Sequence, residues 1–197
     1  MGLKRIGKGP FRGPTAGNLH QTLDIGAGEL ANYARQQAIR FPNRKYAAVD
    51  PLARVAEFGN LRVFRKPALE AMDDALKEGL KFRHINLFMP EMKLKKPKYF
   101  REILKRAKKV MLPNGKIFIG TNNIPRWASR MAPVFEAEGF SLKRPKLLHK
   151  NEWSRWMNIS AKYARYIRFL IPERRIKFYL IEATFRLKTA RKMGYKV

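Results

Sequence analysis

The chain has 197 residues, with 43 lysines and arginines against 15 aspartates and glutamates and a net charge of +28. Its 45% hydrophobic content is enough for a packed core and excludes a disordered tail, and no run of eighteen apolar residues is present to span a membrane. Cysteine is absent, which excludes disulfides, thiolate zinc sites and a cysteine nucleophile, and the three histidines, His20, His84 and His149, are too scattered to suggest a metal site.

The first predicted element is a short apolar strand over Thr22–Ile25, running into a turn at Gly26-Ala27-Gly28. A helix follows, with Leu30, Tyr33, Ala34, Ala38 and Phe41 at helical spacing, and Pro42-Asn43 stops it. Tyr46–Val49 and Leu61–Phe64 read as the second and third strands. Pro67 opens a helix whose inner face is Leu69, Met72, Ala75, Leu76 and Leu80. Ile85–Met89 is a fourth strand. Pro97 starts a helix with Phe100, Ile103, Leu104, Ala107 and Val110 on one side. A turn at Pro113-Asn114-Gly115 precedes a fifth strand over Lys116–Thr121. Pro125–Glu138 is a helix closed by Gly139, and Ser141–Leu148 a sixth strand. Glu152–Leu170 reads as an amphipathic helix carrying Trp153, Trp156, Tyr163 and Tyr166 among Arg155, Lys162, Arg165 and Arg168. Arg175–Leu187 is a long last strand.

Strands and helices alternate with short linkers. The predicted fold is therefore α/β: a mostly parallel, seven-stranded sheet with helices on both faces. Residues 1–20 form a flexible basic arm, 21–187 the α/β domain with residues 151–170 inserted as a basic amphipathic helix, and 188–197 a basic tail.

The charge is unevenly placed. The arm carries Lys4, Arg5, Lys8 and Arg12 and no acid. Residues 93–109 hold nine basic residues, among them Lys93, Lys95, Lys96 and Lys98, against Glu102 alone. The last 47 residues hold twelve, Arg191 and Lys192 included, against Glu152, Glu173 and Glu182. Ion-pair networks need acids in similar number, so such a surplus calls for a polyanion, and nucleic acid is the leading one. The aromatic residues near these cations, Trp127 included, fit either base stacking or core packing.

In parallel sheets a ligand sits beyond the carboxyl ends of the strands, beside the first. There the sequence places Asp24-Ile25-Gly26-Ala27-Gly28, and Asp50 at the end of the second strand. Glycines allow close approach to the backbone, and a carboxylate at the second strand's tip accepts ribose hydroxyls. The pattern points to an adenosine-containing cofactor held by Asp24, Gly26, Gly28 and Asp50.

This stretch resembles the class I S-adenosylmethionine-dependent methyltransferases, whose Rossmann-like fold would cover residues 22–148 and the last strand. Within the class it is most similar to the tRNA (guanine-N7)-methyltransferases. Residues Asn60 to Arg65, the Asn86-Leu87-Phe88-Met89-Pro90-Glu91 segment and the Leu112-Pro113-Asn114-Gly115 stretch ending in Thr121-Asn122 carry that likeness. The resemblance implies S-adenosylmethionine as cofactor and Glu91, Thr121 and Asn122 facing a target base. The sequence also departs from the pattern. Leu30 replaces the third glycine, Pro67 beside Lys66 falls where an adenine-contacting acid is expected, and Asn122 replaces an aspartate.

Two functional readings follow. In the first, a methyltransferase scaffold with an eroded cofactor motif binds structured RNA, ribosomal RNA before tRNA, in a ribosomal particle beside ribosomal proteins, in the cytoplasm or an organellar matrix. In the second, the chain is an active RNA methyltransferase. The incomplete motif and the charge favour the first.

Overall fold

The computed structural model describes residues 19–88, 97–121, 124–148 and 178–185. The elements in order are β1 (Leu19–Ile25), α1 (Asn32–Arg40), β2 (Lys45–Val49), β3 (Leu61–Phe64), α2 (Ala68–Lys77), β4 (Lys81–Phe88), α3 (Pro97–Val110), β5 (Met111–Thr121), α4 (Ile124–Ala137), β6 (Phe140–Leu142), β7 (Lys146–Leu148) and β8 (Phe178–Phe185). They build one eight-stranded sheet in the order β3-β2-β1-β4-β5-β8-β6, with β7 also paired to β8. The pairs from β3 to β5 are parallel, and β8 runs antiparallel to β5, β6 and β7.

Alternation along each strand divides the core in two. Leu23, Ile25, Ala47, Val49, Ile85, Leu87, Ile117 and Ile119 join Met72 of α2, Phe100, Ile103 and Leu104 of α3, and Phe135 of α4 in one cluster. Tyr46, Ala48, Leu61 and Val63 point the other way and pack on Ala31, Ala34 and Ala38 beside α1. The five apolar positions predicted for α3 are all buried. The expectation of an α/β fold with a mostly parallel sheet and helices on both faces holds.

The structure differs from the predicted elements in several places: β4 begins at Lys81, four residues before the predicted Ile85, and α2 ends at Lys77, short of Leu80. β1 begins at Leu19, so residues 19 and 20, read as arm, are strand residues; His20 is buried and its ring lies 5.3 Å from that of Phe82. α1 begins at Asn32, and Leu30, expected on its inner face, is 54% exposed. The Pro113-Asn114-Gly115 turn lies inside β5 as a bulge. Phe82 pairs with Met111 and His84 with Lys116, so β5 spends five residues where β4 spends two, and Asn114 adopts φ 60° to do so. The sixth predicted strand is two short ones. Lys143, just after β6, donates to the Glu182 carbonyl of β8, and Pro145 has no N–H to carry the ladder on without a break before β7. This break raises the strand count from the expected seven to eight.

The basic arm with Lys4, Arg5, Lys8 and Arg12, the segment with Glu91, Lys93, Lys95 and Lys96, Asn122, the helix with Arg155, Lys162, Arg165 and Arg168, and Arg191 and Lys192 of the tail lie outside the described residues.

Candidate functional site

Two loops meet at the carboxyl edge of the sheet, one after β1 and one after β2. The β1 loop needs left-handed backbone at Gly26 (φ 77°), Gly28 (φ 74°) and Ala31 (φ 42°). Glycine adopts this at no steric cost, whereas Ala31 stores strain of about 1 kcal/mol or more. The turn is pinned to the neighbouring loop by its own backbone. Gly26 and Ala27 donate to the Val49 carbonyl at 2.9 and 3.2 Å, and Arg54 donates to the Glu29 carbonyl at 2.7 Å. Asp50 completes the joint: one carboxylate oxygen accepts from the Gly28 N–H and the other from the Leu52 N–H, both at 2.9 Å. A Cβ placed at Gly28 would meet nothing within 4 Å, so the space over this turn is open.

Behind the turn lies a buried polar group. Asp24 on β1 stands in register with Asn86 on β4, and the two are 3% and 1% exposed. Burial pushes the Asp24 carboxyl up to about 7, and the nearby Asp50 charge adds to this, against a hydrogen bond from the Ala34 N–H. Burial raises the hydroxyl of Tyr33 on α1, which neighbours the Asn86 side chain, above the ordinary tyrosine range. The Asn86 amide nitrogen has no hydrogen-bond partner among the described residues. A buried unsatisfied donor costs about 1–3 kcal/mol, so this one stands ready for an acceptor.

The structure thus brings together Asp24, Gly26, Gly28 and Asp50, the four residues predicted to hold a cofactor. Thr121 ends β5 at the same edge. The sequence reading missed Asn86, Tyr33 and Ala31. Asn86 left one signal, a polar residue between Ile85 and Leu87 in the otherwise apolar predicted strand Ile85–Met89. Asn86 otherwise stands out only as part of the Asn86–Glu91 segment that carries the family likeness. Ala31 left none, because nothing about an alanine announces positive φ. Among the described residues no group of histidines and acids is placed to hold a metal.

The charges separate by layer. On the side of α2, α3 and α4 most of the described cations are paired, Lys98 and Lys109 of α3 being exposed exceptions. Arg106 binds Asp73 through two bonds at 2.8 and 3.1 Å and Glu102 at 3.0 Å. Lys105 binds Glu102 at 2.9 Å, Lys108 binds Glu138 at 2.7 Å, and Lys66 and Lys77 share Asp74. The basic run over 93–109 is therefore partly neutralised by acids distant in sequence. Lys98, at the start of α3, is exposed and makes no ion pair with a described residue. A separate pocket of about 350 Å³ lies at the opposite edge, lined by His20, Lys45, Phe58 and Asn60 among others, far from the Gly26 turn along the strands.

No protein-family model matches the sequence, and no curated protein sequence matches it. Solved structures do resemble the fold. The 16S rRNA methyltransferase KamB superposes with a TM-score of 0.59 at 15% identity, covering 85% of this chain and 88% of that one. A variant of the 16S rRNA (adenine(1408)-N(1))-methyltransferase from Catenulisporales acidiphilia, solved with its cosubstrate SAM, gives 0.61 at 17% identity, covering 87% and 88%. The antibiotic-resistance methyltransferase Kmr gives 0.58 at 13% identity, covering 85% and 87%. Topology, strand order and this likeness agree: the chain has the Rossmann-like fold of the S-adenosylmethionine-dependent methyltransferases.

Proposed function

We propose that the protein binds S-adenosylmethionine at the carboxyl edge and methylates a base in structured RNA, ribosomal RNA before tRNA. The observation that carries this reading is the hydrogen-bonded joint of Gly28 and Asp50 above the buried Asp24. The residues fit the cofactor in part. The open turn at Gly28 admits close approach to the backbone, Asp50 offers remaining lone pairs to ribose hydroxyls, and Asp24 with the unpaired Asn86 amide suits the charged amino-acid end. After β3 the sequence Arg65-Lys66-Pro67 supplies no carboxylate for an adenine amino group, so the fit is to the methionine and ribose portions. When bound, the cofactor supplies an electrophilic methyl group on a sulfonium. Glu91, Thr121 and Asn122 are the residues assigned to the target base. A ring nitrogen with a free lone pair needs positioning more than a strong base, and the guanine-N7 position suggested by the sequence likeness is one such acceptor.

The surplus of 28 positive charges supports a polyanionic substrate, and the similar rRNA methyltransferases support a ribosomal one. The arm (residues 1–18) and tail (188–197) would then extend the contact along phosphates, where ribosomes reside, in the cytoplasm or an organellar matrix. A second reading, a scaffold that binds rRNA without catalysis, is favoured by the missing acid after β3 and by the use of both Asp50 oxygens within the protein.

Calorimetry with S-adenosylmethionine, followed by transfer of labelled methyl from it to small-subunit rRNA, tests the proposal. Micromolar binding and label in the RNA are expected. Absence of heat at millimolar cofactor, with RNA binding intact, would overturn the enzyme in favour of the scaffold.

A further inference from the structure

The paired cations on the α2–α3–α4 side leave a question of which surface meets the polyanion. On the opposite side of the sheet, Arg35, Arg40 and Arg44 are exposed, and none makes an ion pair with a described acid. Arg35 and Arg40 lie on α1, and Arg44 lies in the turn that follows it. The guanidinium groups of Arg40 and Arg44 stand 5.3 and 4.9 Å from the centre of the Phe41 ring, an arrangement that holds both charges about one ring.

The turn that carries them is held firmly. Phe41 donates to the Gln37 carbonyl at 2.9 Å and Arg44 to the Phe41 carbonyl at 3.0 Å. From β3's threshold, the Asn60 amide donates to the carbonyls of Ala38, Phe41 and Arg44 at 3.1, 3.1 and 2.6 Å. Two cations held about one ring without a carboxylate repel one another, and such an arrangement gains when phosphates reach them. Other exposed cations without a described acid partner, such as Arg83, Lys98 and Arg144, are spread over separate elements.

We infer that α1 and the turn after it form an RNA-docking surface, with Arg40 and Arg44 on one stretch of phosphates and Arg35 nearer the cradle. This inference rests on the RNA reading above and adds to it the face on which the RNA lies. α1 starts beside the Gly26 turn and runs to the other edge, and its nine residues span about 14 Å. That length spans several phosphate steps along one RNA strand. An RNA presenting a base at the carboxyl edge therefore lays its backbone down α1, while the more fully paired α3 side faces away.

Two charge-matched double variants of the full chain test this. Arg40→Gln with Arg44→Gln removes two charges from the α1 side, and Lys77→Gln with Lys105→Gln removes two from the α2–α3 side. Binding to small-subunit rRNA is measured across a salt series, with thermal melting and S-adenosylmethionine calorimetry as checks on the fold. The arginine pair is expected to weaken RNA binding tenfold or more and to reduce the salt slope by about two, with cofactor binding unchanged. The lysine pair is expected to change affinity less than threefold. Equal effects from both pairs, or none from the arginines, would overturn the docking face while leaving RNA binding in place. Failure of the unaltered protein to bind rRNA would instead overturn the RNA reading itself.

Discussion

The backbone N–H of Gly28 donates to the carboxylate of Asp50 at 2.9 Å, across 22 positions of sequence. A turn that must hold left-handed glycines thereby gains a fixed partner from the next strand. The same carboxylate receives the Leu52 N–H at 2.9 Å, so one side chain sets the shape of both loops at the carboxyl edge.

Replacement of Asp50 by alanine is expected to lower S-adenosylmethionine affinity at least tenfold in calorimetry, with stability reduced by only about 1 kcal/mol because both N–H donors can turn to water. A variant that binds the cofactor as tightly as the parent would remove Asp50 from the site.

Asp24 predicts a pH dependence. Its folded value of about 7 lies above the ordinary 3.8, so the folded protein holds a proton that the unfolded chain releases between roughly pH 4 and 7. Stability contributed by the protonated form is therefore lost as pH rises through that window, by an amount on the order of 4 kcal/mol at most. Asp24→Asn is expected to be more stable than the parent in urea at pH 8, with the difference closing near pH 4. The same difference at both pH values would show that Asp24 stays ionised in the fold.

Asn60 donates to three carbonyls around the α1–β2 turn. Asn60→Ala removes all three bonds and is expected to cost about 2–3 kcal/mol, read as a lower urea midpoint with an unchanged slope. A loss under about 0.5 kcal/mol would mean that water replaces the amide.

Gly115 sits where the β5 bulge closes against β4. A Cβ there would lie 2.8 Å from the Met111 methyl, 2.9 Å from the Leu112 carbonyl oxygen and 3.1 Å from that of Arg83. The methionine end can swing away, but the two carbonyls are backbone. Gly115→Ala is expected to destabilise by about 1–3 kcal/mol, seen as a fall in Tm; an unchanged Tm would show that the bulge relaxes freely.

Much of the fold was legible along the chain because its elements are short-range patterns. Phe100, Ile103, Leu104, Ala107 and Val110 repeat at helical spacing, and all five are buried. Leu61–Phe64 has its predicted bounds. The misread places are those where a tertiary partner decides. Pro113-Asn114-Gly115 has the chemistry of a turn, yet the neighbouring β4 accepts it as a bulge within a single strand. Leu30 has helical spacing, but the helix waits for Ala31 to leave its left-handed conformation, and the leucine faces solvent.

The candidate site divides in the same way. Asp24, Gly26, Gly28 and Asp50 were visible because a glycine turn and a strand-terminal acid are local features of fixed spacing. Asn86 was not visible as a site residue, since its place beside Asp24 arises only when β1 and β4 pair, 62 residues apart in register.

The sequence by itself determined the order of strands and helices, the position of the glycine turn and the size of the positive charge, because periodicity, backbone freedom and composition are properties of neighbouring residues or of the whole sum. Only the tertiary structure decided which charges remain available. Asp73, Asp74 and Glu138 fold against the lysines and arginines of α2 and α3, while Arg35, Arg40 and Arg44 meet no described acid. Coulomb attraction acts through space over a few ångströms, and chain order does not record those distances.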